Sequence, residues 1–214
     1  MEIIDGRLDV AEQHLSENCD ERPNDQVDLI VIHCISLPAG HFGGDFIRAL
    51  FCNQIDHASH TDFDSLRDMR VSSHLLIRRT GQIQQFVPFH QRAWHAGQSS
   101  FDGRNNCNDF SLGIELEGTD TGQFNEIQYA RLGETCRCLA DAYAIPVKNI
   151  VGHSDIAPGR KPIQASVLIG RGCIGWWVES DGSTESMPFL YQSVTESCCF
   201  FWSLLDHLRA GIRI

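Results

Sequence analysis

Nothing in these 214 residues is apolar for the length of about 20 residues that a bilayer span requires. The richest apolar run, from Cys198 to Leu205, is far too short. The opening stretch MEIIDGRLDVAEQH has no basic segment followed by an apolar one, so no secretory signal is expected and the location read from it is cytoplasmic. Positive charge is scarce. Seventeen Lys and Arg against 28 Asp and Glu leave a net charge of −11, which argues against a nucleic-acid partner because such a partner needs a basic face. A few local cations would still suffice to bind an anionic small molecule. No repeat and no low-complexity segment is present, and neither HExxH nor CxxC occurs. Metal chemistry would therefore have to be assembled from positions far apart in the chain.

Cysteine is plentiful, nine in all, but the number is odd and the spacing follows no disulfide framework. Cys136 and Cys138 fall on an expected helix, while Cys198 and Cys199 are adjacent; reduced packing residues are the reading. The length and an ordinary 42% hydrophobic content suit one buried core.

Along the chain, residues 1–27 read as an extended lead-in, polar and with one proline from Ser16 to Asp28. The run DLIVIHCISL (28–37) has the length and β-branching of a buried strand. SSHLLIRRTGQIQQFVP (72–88) reads as two strands meeting at Thr80 and Gly81, and FSLGIELE (110–117) as another strand. Asp45 to Asn53 predicts a short helix. The best helix runs from Asn125 to Ala144, with Leu132, Cys136, Leu139 and Tyr143 at helical spacing. Asn125 and Gln128 would form a capping box there, and Phe124 and Tyr129 a hydrophobic staple. Strands interleaved with helices, some joined as hairpins, predict a single α/β domain of the mixed α+β kind, with a central mixed sheet flanked by helices.

Four residues stand out for chemistry. His33 lies within the apolar strand, where an imidazole costs desolvation unless its nitrogens are bound. His153 follows Val151 at an expected strand end, where loops carry function. Glu115 alternates with Ile114 and Leu116 and so faces away from them, together with Glu117. Lys161 closes the basic turn APGRK. Taken singly each has a plainer reading: a core histidine, a structural histidine, a solvated strand face, a solvated lysine. Together they have the composition of a zinc hydrolase, with imidazoles for the metal, a carboxylate for a proton and a cation for an oxyanion.

The segments LIVIHCISLPAGHFGG, RVSSHLLIRRTGQIQQFVPFHQRAWHAG, CNDFSLGIELEGTDT and GHSDIAPGRK closely resemble the type 2 amidase and peptidoglycan-recognition family. Within it they look like the cytoplasmic members that act on 1,6-anhydromuropeptides. The resemblance covers residues 1–161 and makes 28–161 the expected amidase domain. It implies a Zn2+ enzyme that cleaves the amide between the lactyl group of anhydro-N-acetylmuramic acid and L-alanine; a monomer is expected. By position, His33 and His153 match zinc ligands, Glu115 the general base and Lys161 the oxyanion cation. Arg70, Trp94 and His95 match residues that line the substrate cleft.

The resemblance also shows where this chain departs. The family continues after Arg-Lys with Thr-Asp-Pro-Gly, and that aspartate is its third zinc ligand; here Pro162 and Ile163 follow. Isoleucine binds no metal. Asp155 is the nearest carboxylate that would replace it. The remaining residues, 162–214, match nothing in the family and read either as the product of a single-base frame shift after the Lys161 codon or as a genuine divergent C-terminus, with Phe200, Leu204 and Leu208 on a short packed helix. An impaired zinc amidase is thus the first reading. A muropeptide-binding module without hydrolysis is the alternative, and an inactive product that aggregates through tail aromatics such as Phe200 and Trp202 is the third.

Overall fold

A computed structural model describes residues 1–158, so Lys161, Ile163 and the expected non-matching tail lie outside the described residues. In chain order the elements are β1 (Ile3–Ile4), β2 (Arg7–Leu8), β3 (Glu12–Gln13), β4 (Cys19–Glu21), β5 (Leu29–Ile35), α1 (Phe46–Phe51), β6 (Leu75–Ile77), β7 (Ile83–Gln85), β8 (Gln91–Ala93), β9 (Ser100–Phe101), β10 (Arg104–Asn105), β11 (Ser111–Glu117), α2 (Glu126–Tyr143), β12 (Ile150–Gly152) and α3 (His153–Ile156). Six strands form one sheet in the order β12-β5-β11-β6-β7-β3. The four from β12 to β6 are parallel and β7 runs antiparallel to β6, which is the expected mixed sheet.

A parallel strand at the centre of such a sheet is covered on both faces, so β5 and β11 are apolar almost throughout. On one face Ile30, Ile32, Leu112, Ile114 and Leu116 pack against Leu132, Cys136, Leu139 and Ala140 of α2. This is the stripe that the helical spacing predicts. On the other face Leu29 and Val31 meet Phe110, Val151 and Ile156, while Ile35 joins a separate cluster with Ile47, Phe51, Phe63 and Phe86. His33 sits between those two clusters in the strand sequence.

The ends of α2 follow from local chemistry. The Gln128 side chain accepts from the Asn125 N–H at 3.0 Å, the expected half of the capping box, while the Asn125 amide also bridges to Arg79. Phe124 and Tyr129 meet edge-on with centroids 6.0 Å apart. Ala144 ends the helix in the left-handed region at φ 54°. At the β6–β7 turn Gly81 has φ +82°, which only glycine adopts without strain.

Residues 1–27, expected as an extended lead-in, are built into the fold. β1 and β2 form a hairpin, β3 joins the edge of the main sheet against β7, and β4 pairs with β8. Their polar composition concealed this because the polar groups serve inside. The buried Asn18 donates to the Val71 carbonyl at 2.7 Å and reaches Asn53 at 3.0 Å.

Candidate active site

Three neighbouring parallel strands carry the site at their C-terminal ends, where open α/β sheets bind ligands. In β5 and β11, His33 stands in register with Glu115, so both side chains rise from the same face. On the other flank Gly152 of β12 is in register with Ile32, which puts His153 beside His33. The result is a row His153–His33–Glu115, with exposures of 4%, 1% and 6%. A solvated strand face, one expectation for Glu115 and Glu117, is therefore not what forms.

His33 Nδ1 and His153 Nδ1 face each other at 2.9 Å. On its far side His33 Nε2 lies 2.9 Å from His95 Nδ1, and His95 Nε2 lies 3.2 Å from the Ser111 hydroxyl. Desolvation pushes the His95 pKa down to about 3, with the charges of Arg22 and His153 adding to it, so its ring is neutral. Behind it, fully buried His74 is held well below the usual histidine range by burial and by Arg22. Arg22 donates to the carbonyls of Phe89, Asn108, Asp109 and Ser111, and burial lowers its own pKa to about 10. Arg22, His74 and Ser111 were not foreseen from sequence; only the polar residues bracketing apolar strands hinted at them.

The other expected cleft residues are not drawn into this cluster by any hydrogen bond of their side chains. Trp94 adjoins His95 in the chain, but its side chain lies by Asp20, whose pKa is lowered chiefly by Arg92 and further by Trp94. Arg70 is exposed and its guanidinium reaches back to the Met69 carbonyl at 3.3 Å. Asp155, the nearest carboxylate to a missing third ligand, is exposed and accepts from the Gly152 N–H at 2.7 Å, capping α3.

The donor set suits zinc in part. Two imidazole nitrogens converging at 2.9 Å need to open by only a few tenths of an ångström to reach the spacing of about 3.3 Å that tetrahedral Zn–N bonds impose. Among the described residues no group of three or more His, Cys, Asp or Glu side chains is disposed to hold a metal ion.

Comparison with known proteins identifies the family. Residues 23–162 match the family described as N-acetylmuramoyl-L-alanine amidase. The chain is 51% identical over 162 residues to the 1,6-anhydro-N-acetylmuramyl-L-alanine amidase AmpD of Escherichia coli (strain K12), covering 75% of this chain and 88% of that protein. It is 49% identical over 162 residues to AmpD of Citrobacter freundii, covering 75% and 87%. A crystal structure of a Se-Met AmpD derivative matches with a TM-score of 0.74 at 49% identity, over 75% of this chain and 90% of that one. The chain belongs to the N-acetylmuramoyl-L-alanine amidase family.

Proposed function

We propose that this protein hydrolyses the amide between the lactyl group of 1,6-anhydro-N-acetylmuramic acid and L-alanine, in cytoplasmic recycling of cell-wall fragments, as a zinc-dependent monomer. The observation that carries the reading is the row His153–His33–Glu115 at the ends of three adjacent strands. The names and activities of the AmpD relatives support the substrate. Among the described residues Cys19, Cys52, Cys107 and Cys138 form no disulfide, which suits a reducing compartment.

In this reading His33 and His153 hold the metal. When bound, zinc supplies Lewis acidity that eases deprotonation of water near neutral pH and polarises the scissile carbonyl. Glu115, one strand over, takes the proton from the attacking water and returns it to the amine of the departing L-alanine. Lys161 steadies the developing oxyanion; losing such a donor typically costs about 10²–10³ in rate. Arg70 and Trp94 contribute to the walls that receive the muropeptide.

One observation favours a second reading, a muropeptide-binding module without hydrolysis. Ile163 stands where the family's pattern has its aspartate ligand, and Asp155 is committed to capping α3. Zinc stoichiometry of the full chain after dialysis against metal-free buffer, measured beside L-alanyl peptide release from a 1,6-anhydromuropeptide, separates the two. About one zinc per chain with release supports the amidase. Muropeptide binding without zinc or release supports the binder, and neither binding nor release overturns both.

A further inference from the structure

His95 does not stand in the site as a cleft-lining side chain would, because both of its ring nitrogens are engaged within the protein. The chain of contacts runs His33 Nε2 to His95 Nδ1 at 2.9 Å, His95 Nε2 to Ser111 Oγ at 3.2 Å, and Ser111 Oγ to the Cys107 carbonyl at 2.5 Å. Its far end is a carbonyl, which only accepts. The single hydroxyl proton of Ser111 is therefore directed at Cys107, and Ser111 accepts from His95 Nε2. A neutral imidazole protonated at Nε2 has a bare Nδ1, so His95 accepts from His33 Nε2. His33, protonated at Nε2, then presents a bare Nδ1 towards His153. One backbone carbonyl thus dictates, through Ser111 and His95, which nitrogen of His33 carries the proton.

We infer that His95 is a positioning residue, which holds the His33 ring and fixes the tautomer whose Nδ1, facing His153, carries no proton, with Ser111 and the Cys107 carbonyl setting its direction. The surroundings are built for this. The side chain of Asn108 accepts from the backbone N–H of His95 at 3.1 Å and of Ala96 at 2.8 Å, so the turn that supplies the Cys107 carbonyl also anchors the histidine's backbone. Gly113 gives the ring its place: a Cβ there would meet His95 Cγ at 2.5 Å and Nδ1 at 2.7 Å. On β11 the residues facing the site are Ser111, Gly113 and Glu115, so one strand supplies the hydroxyl, the room and the carboxylate. A histidine that binds metal through one nitrogen is commonly oriented by a hydrogen bond from the other, and removing such a partner costs about 10–100-fold in metal affinity. The consequence for metal rests on the zinc reading above; the order of protons does not.

The test is the ring ¹⁵N spectrum of histidine-labelled full-length protein, metal-free and at neutral pH, for the parent and for Ser111→Ala and Ser111→Thr. The expected parent spectrum shows His33 and His95 each with Nε2 protonated and Nδ1 bare. Ser111→Ala is expected to mix the tautomers of both, and Ser111→Thr, which keeps the hydroxyl, to restore them. His74 serves as the folding control, because its tautomer is set separately by the Gly113 N–H at 2.9 Å and the Gln91 carbonyl at 3.1 Å. A His33 proton on Nδ1 in the parent, or unchanged tautomers in Ser111→Ala, overturns the inference. In Co(II) titrations Ser111→Ala should lose about 10-fold or more in affinity with an unchanged substrate KM at saturating metal. A raised KM with unchanged metal affinity would instead make His95 a substrate group. A parent that takes up no metal overturns the zinc reading alone, since the tautomer spectrum still decides this one.

Discussion

Replacing Glu117 with glutamine probes how the site's rim is held. The carboxylate is 2% exposed and accepts from the Gly43 N–H at 2.7 Å and the Arg79 N–H at 3.0 Å. Arg78 Nε lies 3.2 Å from it, with the arginine side chain 11% exposed. One side chain therefore ties the loop after β5 to the turn between β6 and β7. In Glu117→Gln an NH₂ group faces one of these donors, and the arginine loses its counter-charge. Breaking a buried pair from one side costs about 3–5 kcal/mol. Arg78 keeps a second partner, the Gly44 carbonyl at 2.6 Å, which lowers the expectation to roughly 2–4 kcal/mol. For a domain of this size that corresponds to a fall in Tm of about 5–15 °C. Thermal and urea unfolding followed by circular dichroism measure it, with Glu134→Gln as a control in an exposed pair expected to stay within about 0.5 kcal/mol. A Glu117→Gln protein within 0.5 kcal/mol of the parent, on the order of the control, would refute the clamp.

Two further outcomes are expected. The folded pKa of His74 lies well below its unfolded value of about 6.5, so the stability it allows is complete above that value and is lost as pH falls. The slope is up to about 1.4 kcal/mol per pH unit, and the groups facing the ring are Arg22 and His95. Asp20 and Asp45, whose pKa values are lowered by Arg92 and Arg48, lose their contributions only below about pH 4. Urea midpoints between pH 7.5 and 5 should therefore fall more steeply for the parent than for His74→Gln, and equal slopes would exclude the assignment. Separately, Ala144→Gly should stabilise the protein by about 0.5–1 kcal/mol, because Ala144 ends α2 at φ 54° with its side chain exposed. No change in Tm would mean that the gain is cancelled by the freer unfolded chain.

How much of this was legible depended on whether the signal was local. SLGIELE declares its period of two, and Leu112, Ile114 and Leu116 do pack on α2. The same alternation could not say that the Ser-Gly-Glu-Glu face would also be buried, since its cover comes from residues far away in the chain. His33 was visible as an anomaly, a costly imidazole in an apolar strand. Its meeting with His153, 120 positions later, is a product of β12–β5 register that no spacing reveals. Residues 1–27 were the least readable. Strands of two or three residues show no period, and a buried Asn18 satisfied by backbone carbonyls looks in sequence like any polar loop residue.

The row of His33, His153 and Glu115, the chain through His95 and Ser111, and the Glu117 clamp each join groups that lie within residues 1–158. In the zinc reading proposed above, isoleucine at position 163 leaves two imidazoles as ligands, the α3 carboxylate is already spent on its helix end, and water would fill the other positions. In that reading, weaker metal binding would also withdraw the stabilisation that a bound ion adds to the folded state, which grows as the logarithm of free zinc over Kd. The expected behaviour follows from this. The protein folds without metal, its Tm rises with added zinc only at concentrations approaching a weakened Kd, and His33→Ala abolishes the rise without collapsing the sheet.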